Sequence, residues 1–339
     1  MKDCDLVISH IPNLEALKNK RILITGATGM IGSAVAELLF RQNRKSDYNV
    51  DIYLGGRNEE GLSQRFTDFT GMYTYVHYEA NGEHINYTFL DGLDYIIHCA
   101  GYGDPKFISE KPVDIIMNNV CGTNILLNLA NMYKAKLLFV SSGEIYGKNI
   151  EADGRYIENA YGYVDVLNPR ASYPNAKRLA ESLCISHAKQ YGTEVVIARS
   201  CHIYGPSIKD SDSRASAAFT REAISGNDIV MKSAGSQVRS YCYTLDCAGA
   251  LLTILINGNG SEAYNISNIN SIASIRELAE TLAMEAGVNL IFENPSDSDR
   301  KSYNLMDNSV LDASKLESLG WTGVFDLNAG IRNTLKYYG

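Results

Sequence analysis

Ile22-Leu23-Ile24-Thr25-Gly26-Ala27-Thr28-Gly29-Met30-Ile31-Gly32-Ser33 decides how the rest of the chain is read. The apolar run 22–24 predicts a buried parallel strand. Gly26, Gly29 and Gly32 then recur three apart, and 34–40 carries the apolar stripe of a helix. A strand, a glycine turn and a helix start together form an anion site, because unpaired N–H groups and the positive helix end face the turn. Missing side chains let a pyrophosphate approach the backbone, and Gly32 permits close packing of helix on strand. The pattern predicts a dinucleotide site on Gly26, Thr28, Gly29, Met30, Ile31 and Gly32.

Working outward, 50–54 reads as a second strand that ends in Gly55-Gly56-Arg57. A carboxylate at that end would hold the adenosine ribose of NAD; Asp51 sits too early, whereas Arg57 suits a 2′-phosphate, so the cofactor is NAD or NADP with a lean to NADP. Further strands are expected at 73–78, 93–101, 136–142 and 194–200, with helices between them and a helix over 174–192. The alternation predicts an α/β fold, a doubly wound parallel sheet of Rossmann type with right-handed crossovers, and ligands at the carboxyl ends of its strands. Ala100 and Gly101 close the strand that would approach the cofactor, and Asn119 lies on the following helix. Residues 1–20 read as an extension over the sheet edge, 21–200 as the dinucleotide-binding domain, and 201–339 mainly as a smaller C-terminal α/β substrate-binding lobe. In that lobe regularity weakens from about 202, short helices are expected at 275–286, 313–319 and 327–336, and some segments return to the main sheet.

Composition narrows the classes of function. The 339 residues are 45% hydrophobic and 21% charged, values of a globular protein with a sizeable core. The net charge of -8 argues against a nucleic-acid surface. Seven cysteines are scattered without a Cys-x-x-Cys pair, and six histidines show no metal-ligand spacing, so free thiols and no metal are expected. No signal peptide or membrane-spanning run is visible, and the expected compartment is cytoplasmic.

Tyr173-Pro174-Asn175-Ala176-Lys177 is the second anchor. On a helix Tyr173 and Lys177 lie one turn apart on one face, where an ammonium favours phenolate and lowers a phenol pKa of ~10 toward a useful range. Ser142 follows a strand and should stand at the sheet's carboxyl edge with Glu144 beside it.

On these anchors the chain resembles the extended short-chain dehydrogenase/reductases that act on nucleotide-sugars. Asn119-x-x-Gly122-Thr123, Ile145-Tyr146-Gly147, Ile203-Tyr204-Gly205-Pro206, Gly235-Ser236-Gln237-x-Arg239-Ser240-Tyr241 and Leu319-Gly320-Trp321 extend the match from about Arg21 to near the C-terminus. The resemblance implies that Ser142 orients the sugar hydroxyl, Tyr173 is the base, and Lys177 holds the nicotinamide ribose and tunes Tyr173. It also implies substrate contacts from His202, Arg239 and Arg300, a homodimer, and transient oxidation at sugar carbon 4. Within the family, Asn168-Pro169-Arg170-Ala171-Ser172-Tyr173 and Ser142-x-Glu144 are most similar to UDP-glucuronate decarboxylases. The departures are Gly143 where 4,6-dehydratases carry aspartate, Pro174-Asn175-Ala176 for an acidic Asp-Glu-Gly, His202 for asparagine, and a loop at 100–105 that is not serine-rich. A 4-epimerase, a 4,6-dehydratase and a non-catalytic NAD(P)-binding sensor are the other readings.

Overall fold

The computed structural model describes residues 2–80, 91–148, 155–294 and 308–339. In chain order the first part comprises α1 (Lys2–Ile8), β1 (Arg21–Thr25), α2 (Met30–Lys45), β2 (Asp51–Gly56), α3 (Glu59–Arg65), β3 (Thr74–His77) and β4 (Tyr95–His98). There follow α4 (Pro105–Glu110), α5 (Pro112–Tyr133), β5 (Lys136–Ser142), α6 (Ser172–Tyr191) and β6 (Val195–Ser200). Beyond residue 200 come β7 (His202–Tyr204), α7 (Ala215–Ile224), β8 (Ile229–Met231), β9 (Val238–Tyr243), α8 (Thr244–Asn257) and β10 (Ala263–Ile266). The last described elements are β11 (Ile272–Ser274), α9 (Ile275–Ala286), β12 (Leu290–Phe292), β13 (Asn308–Ser309) and the C-terminal helix Leu327–Tyr338.

Among the described residues, seven strands form one sheet in the order β10-β6-β5-β4-β1-β2-β3, and every neighbouring pair is parallel. The strands are apolar on both faces because helices cover both. Ile22 and Ile24 point into the core shared with α2 and α8, while Leu23 points into the core shared with α5 and α6. Each such buried aliphatic side chain contributes about 1.5–3 kcal/mol. Strand order reverses between β1 and β4, which opens a crevice at their carboxyl ends.

A second sheet is built around β9, which pairs with β7, β11 and β13. Its joint with the first is short: Cys201 alone separates β6 from β7. Both α8 and β10 pack with the large sheet although they lie beyond residue 200.

Two local expectations differ from the structure. Residues 1–20 do not cover a sheet edge: α1 packs on α2 and α8, where buried Val7 and Ile11 face Gly249 of α8. A Cβ at 249 would lie 2.9 Å from Val7 Cγ1, so the glycine admits the extension there. The helix expected at 313–319 is shorter, Ser314–Glu317.

Candidate active site

The glycine turn leaves β1 and enters α2 at the crevice. Gly26 has φ +69°, and a Cβ there would lie 2.7 Å from the backbone nitrogen of Ala100, just past β4. A Cβ on Gly32 would meet the Gly26 carbonyl oxygen at 2.5 Å. No side chain caps α2, because its N-cap is Gly29. The N–H groups of Met30, Ile31 and Gly32 therefore have no partner within the helix and border the cleft. Thr28 belongs to the turn without lining the cleft. This cradle fits the pyrophosphate of a nicotinamide dinucleotide.

A cleft of about 350 Å³ runs from that turn to the end of β5. Ser142 ends β5, Glu144 lies in the following turn, and Tyr173 and Lys177 are on the first turns of α6. Ser142 Oγ accepts the Glu144 N–H at 3.2 Å and lines the cleft together with Tyr173. Lys177 Nζ donates to the Val140 carbonyl at 2.8 Å. Asn119 donates Nδ2–H to the Ile115 carbonyl at 2.8 Å, but its buried Oδ1 has no partner among the described residues. Gly101 stands over both groups: a Cβ there would be 3.4 Å from Asn119 Oδ1 and from Lys177 Nζ. An orphaned acceptor and an ammonium converging on a glycine are suited to ribose hydroxyls, so these residues fit the nicotinamide half. Arg57, exposed just past β2, lies 5.7 Å from the centre of the Tyr102 ring that lines the cleft.

Electrostatics at the pair differ from the sequence expectation. Burial pushes the Tyr173 phenol up to about 12; the Glu144 charge adds to this, while Ser142, Arg214 and Arg170 act against it. Lys177 is not among those influences: its ammonium turns to the Val140 carbonyl, and burial brings it down to about 8. One turn of helix sets the two side chains on one face without aiming the ammonium at the phenol.

The opposite wall comes from 200–214. His202 is pushed down to about 3 by burial and by the charges of Arg239 and Arg214. The neutral imidazole is thereby favoured, and its buried Nδ1 has no partner among the described residues. Arg239 is buried on β9 and donates to the Val238 carbonyl at 3.1 Å; it does not line the cleft. Arg300 lies outside the described residues.

Four cleft residues escaped the sequence reading. Arg214 forks onto Asp212, with Nη2–Oδ2 at 2.5 Å and Nε–Oδ1 at 3.0 Å. Asp104 accepts from the Ser213 N–H at 2.6 Å and from its Oγ–H at 2.8 Å, tying the loop after β4 to the loop before α7. Ser309, also in the wall, has a buried Oγ without a partner among the described residues. Only the Asp-x-Arg spacing at 212–214 hinted at any of these.

Among curated relatives, UDP-glucuronic acid decarboxylase 3 of Arabidopsis thaliana is 30% identical over 317 residues, 92% of this chain and 87% of that protein. The UDP-N-acetyl-alpha-D-glucosaminuronate decarboxylase of Bacillus cytotoxicus is 30% identical over 264 residues, 78% of this chain and 79% of that one. The solved UDP-glucose 4-epimerase of Thermotoga maritima superposes with a TM-score of 0.77 at 21% identity, over 94% of this chain and 98% of that one. That likeness speaks for the fold. A match over residues 22–267 runs from β1 through β10, all seven strands of the parallel sheet, and this chain belongs to the NAD dependent epimerase/dehydratase family.

Proposed function

We propose that this enzyme decarboxylates UDP-glucuronate by way of a transient ketone at sugar carbon 4. The observation that carries the reading is the convergence of Ser142, Glu144, Tyr173 and Lys177 on one cleft, in a chain similar over most of its length to decarboxylases of nucleotide-sugar acids. A nicotinamide dinucleotide held by the glycine turn, Asn119 and Lys177 would supply a reversible hydride acceptor for carbon 4. Tyr173 takes the proton of the carbon 4 hydroxyl and Ser142 orients that hydroxyl. Once carbon 4 is a ketone, the carboxylate is β to a carbonyl. The bond from carbon 5 to the carboxylate then breaks, carbon dioxide leaves, and the electron pair passes into an enolate on the carbon 4 oxygen; carbon 5 takes a proton from solvent, which restores the ketone before the hydride returns. Lys177 and Asn119 hold the nicotinamide ribose, His202 and Arg300 are assigned to the nucleotide-sugar, and Arg239, which does not line the cleft, acts there through its charge on His202.

Gly143 favours this reaction over water elimination. It is buried and brings no acid, and a Cβ there would lie 3.1 and 3.2 Å from Leu311 Cδ1 and Cδ2, so a side chain enters only if the leucine shifts.

Two finer assignments are ours as well. NADP is accepted, because β2 ends without a carboxylate and Arg57 is exposed beyond it. The chain works as a homodimer through α5 and α6, which leave Val113, Met117, Leu179 and Ile185 exposed.

The test is incubation with UDP-glucuronate and mass spectrometry of the products. Release of carbon dioxide without net NADH is expected. Tyr173→Phe should slow it by about 10²–10⁴-fold with cofactor binding kept, and Glu144→Gln should impair turnover more than substrate binding. Inversion at carbon 4 alone would make the protein an epimerase. A 4-keto-6-deoxy product from a neutral hexose nucleotide would make it a dehydratase. Cofactor binding with no turnover of any nucleotide-sugar would make it a sensor.

A further inference from the structure

Arg170 stands two residues before α6, outside the Tyr173/Lys177 pattern, and its backbone N–H is held by Asn168 Oδ1 at 3.0 Å. Its guanidinium reaches the turn after β5 and meets Glu144 as a parallel fork: Nη1 to Oε2 at 3.2 Å and Nη2 to Oε1 at 3.2 Å. The two side chains are only 20% and 24% exposed, so solvent screens this pair less than a surface one. Glu144 is in turn anchored to the site, because its N–H donates to Ser142 Oγ. The fork thus joins the two segments that carry Ser142 and Tyr173.

We propose that Arg170 is a positioning residue that holds the Glu144 carboxylate in one orientation beside Tyr173 and offsets its negative charge there. The inference rests on the reading of Tyr173 as the base.

Several groups face Tyr173. Ser142 and Glu144 come from the end of β5, Arg170 from the approach to α6, and Arg214 from the loop before α7. Gly103, from the loop after β4, brings no charge; a Cβ there would lie 3.4 Å from the Tyr173 hydroxyl. Its neighbour Asp104 is bound to Ser213. Lys177, on the same helix, is bound to Val140. Arg214 already forks onto Asp212, so the Arg170 guanidinium is the cation committed to Glu144. Glu144 pushes the phenol up and Arg170 brings it down, opposite signs from one ion pair. A carboxylate left there alone would raise the phenol further and deplete the phenolate that has to accept the carbon 4 proton.

The alternative is a plain strut between the turn after β5 and the start of α6. A strut changes melting temperature and leaves the phenol's titration alone. The two are separated by titrating Tyr173 in the NAD-loaded protein by NMR with 13Cζ-labelled tyrosine, its resonance assigned with Tyr173→Phe. Arg170→Gln is expected to move the titration up by about one pH unit and Glu144→Gln to move it down by about one unit, the size of a single nearby charge. The double variant should return close to wild type. An unmoved titration in Arg170→Gln, or an upward shift that persists in the double variant, overturns the proposal. If Arg170→Gln does not fold, Arg170→Lys decides. It keeps the charge and loses the fork, so the titration should stay in place while carbon dioxide release falls about tenfold; a titration that moves up, or an unchanged rate, overturns the proposal. The NMR arm needs no sugar substrate, so inert UDP-glucuronate would sink the decarboxylase reading and leave this test standing.

Discussion

Arg57 shows how much one exposed side chain decides. It follows β2 directly, its guanidinium lies 5.7 Å from the Tyr102 ring centre, and β2 ends in two glycines. A 2′-phosphate would gain a charge-assisted contact from Arg57, whereas an unmodified ribose finds no carboxylate. Arg57→Ala is expected to weaken NADP binding about tenfold and leave NAD binding nearly unchanged, as read by titration calorimetry. A preference for NAD that ignores the substitution would make Arg57 a loop residue only. At this scale the sequence is informative where spacing is local. Gly26, Gly29 and Gly32, and Tyr173 with Lys177, declare themselves by short repeats. The direction of the Lys177 ammonium does not, because it is set by a carbonyl on β5, an element distant in the sequence.

Among the elements, α8 repays attention for its buried carboxylate. Asp246 is fully buried near its start, and its two oxygens accept the N–H groups of Val324 and Phe325 at 3.0 and 2.9 Å. Burial nonetheless raises Asp246 from the model-compound value of 3.8 to about 6. The folded chain therefore binds this proton more tightly than the unfolded chain. The stability contributed by the protonated form is present below about 4 and is lost as pH rises through about 6, at a cost of about 3 kcal/mol above that window. Asp246→Asn is expected to flatten the change in unfolding free energy between pH 4 and 6, measured by urea denaturation. A slope equal to wild type would remove Asp246 as its source. The same helix explains a gap in the sequence reading. Nearly every side chain of α8 is buried, so it has no polar face and no amphipathic period to detect. Asp104–Ser213 and Asp212–Arg214 were hidden for another reason: they lie in irregular loops, where spacing carries no structural period.

For the molecule as a whole, α5 and α6 pack on each other and leave Val113, Met117, Leu179 and Ile185 exposed. Association through that face predicts a sedimenting mass near twice the 37.3 kDa of one chain. Met117→Arg with Leu179→Arg should return it to one chain, because like charges would face each other across a two-fold interface. An unchanged dimer in that variant would place the interface elsewhere. The parallel sheet itself was legible from alternating strands and helices, since each strand is a short apolar run bounded by turns. The arrangement around β9 was not, because its partners β7, β11 and β13 are each three residues or fewer.

Gly143 and Leu311 illustrate a different kind of constraint. They touch across the fold although one follows β5 and the other follows β13. An acid introduced at 143 meets the leucine, and a smaller residue introduced at 311 leaves a hole beside a glycine that has no use for it. The two positions are therefore coupled: how readily 143 takes on a side chain depends on how far the leucine at 311 can give way. What this cleft can hold at the end of β5 is written partly in a residue from the far end of the chain.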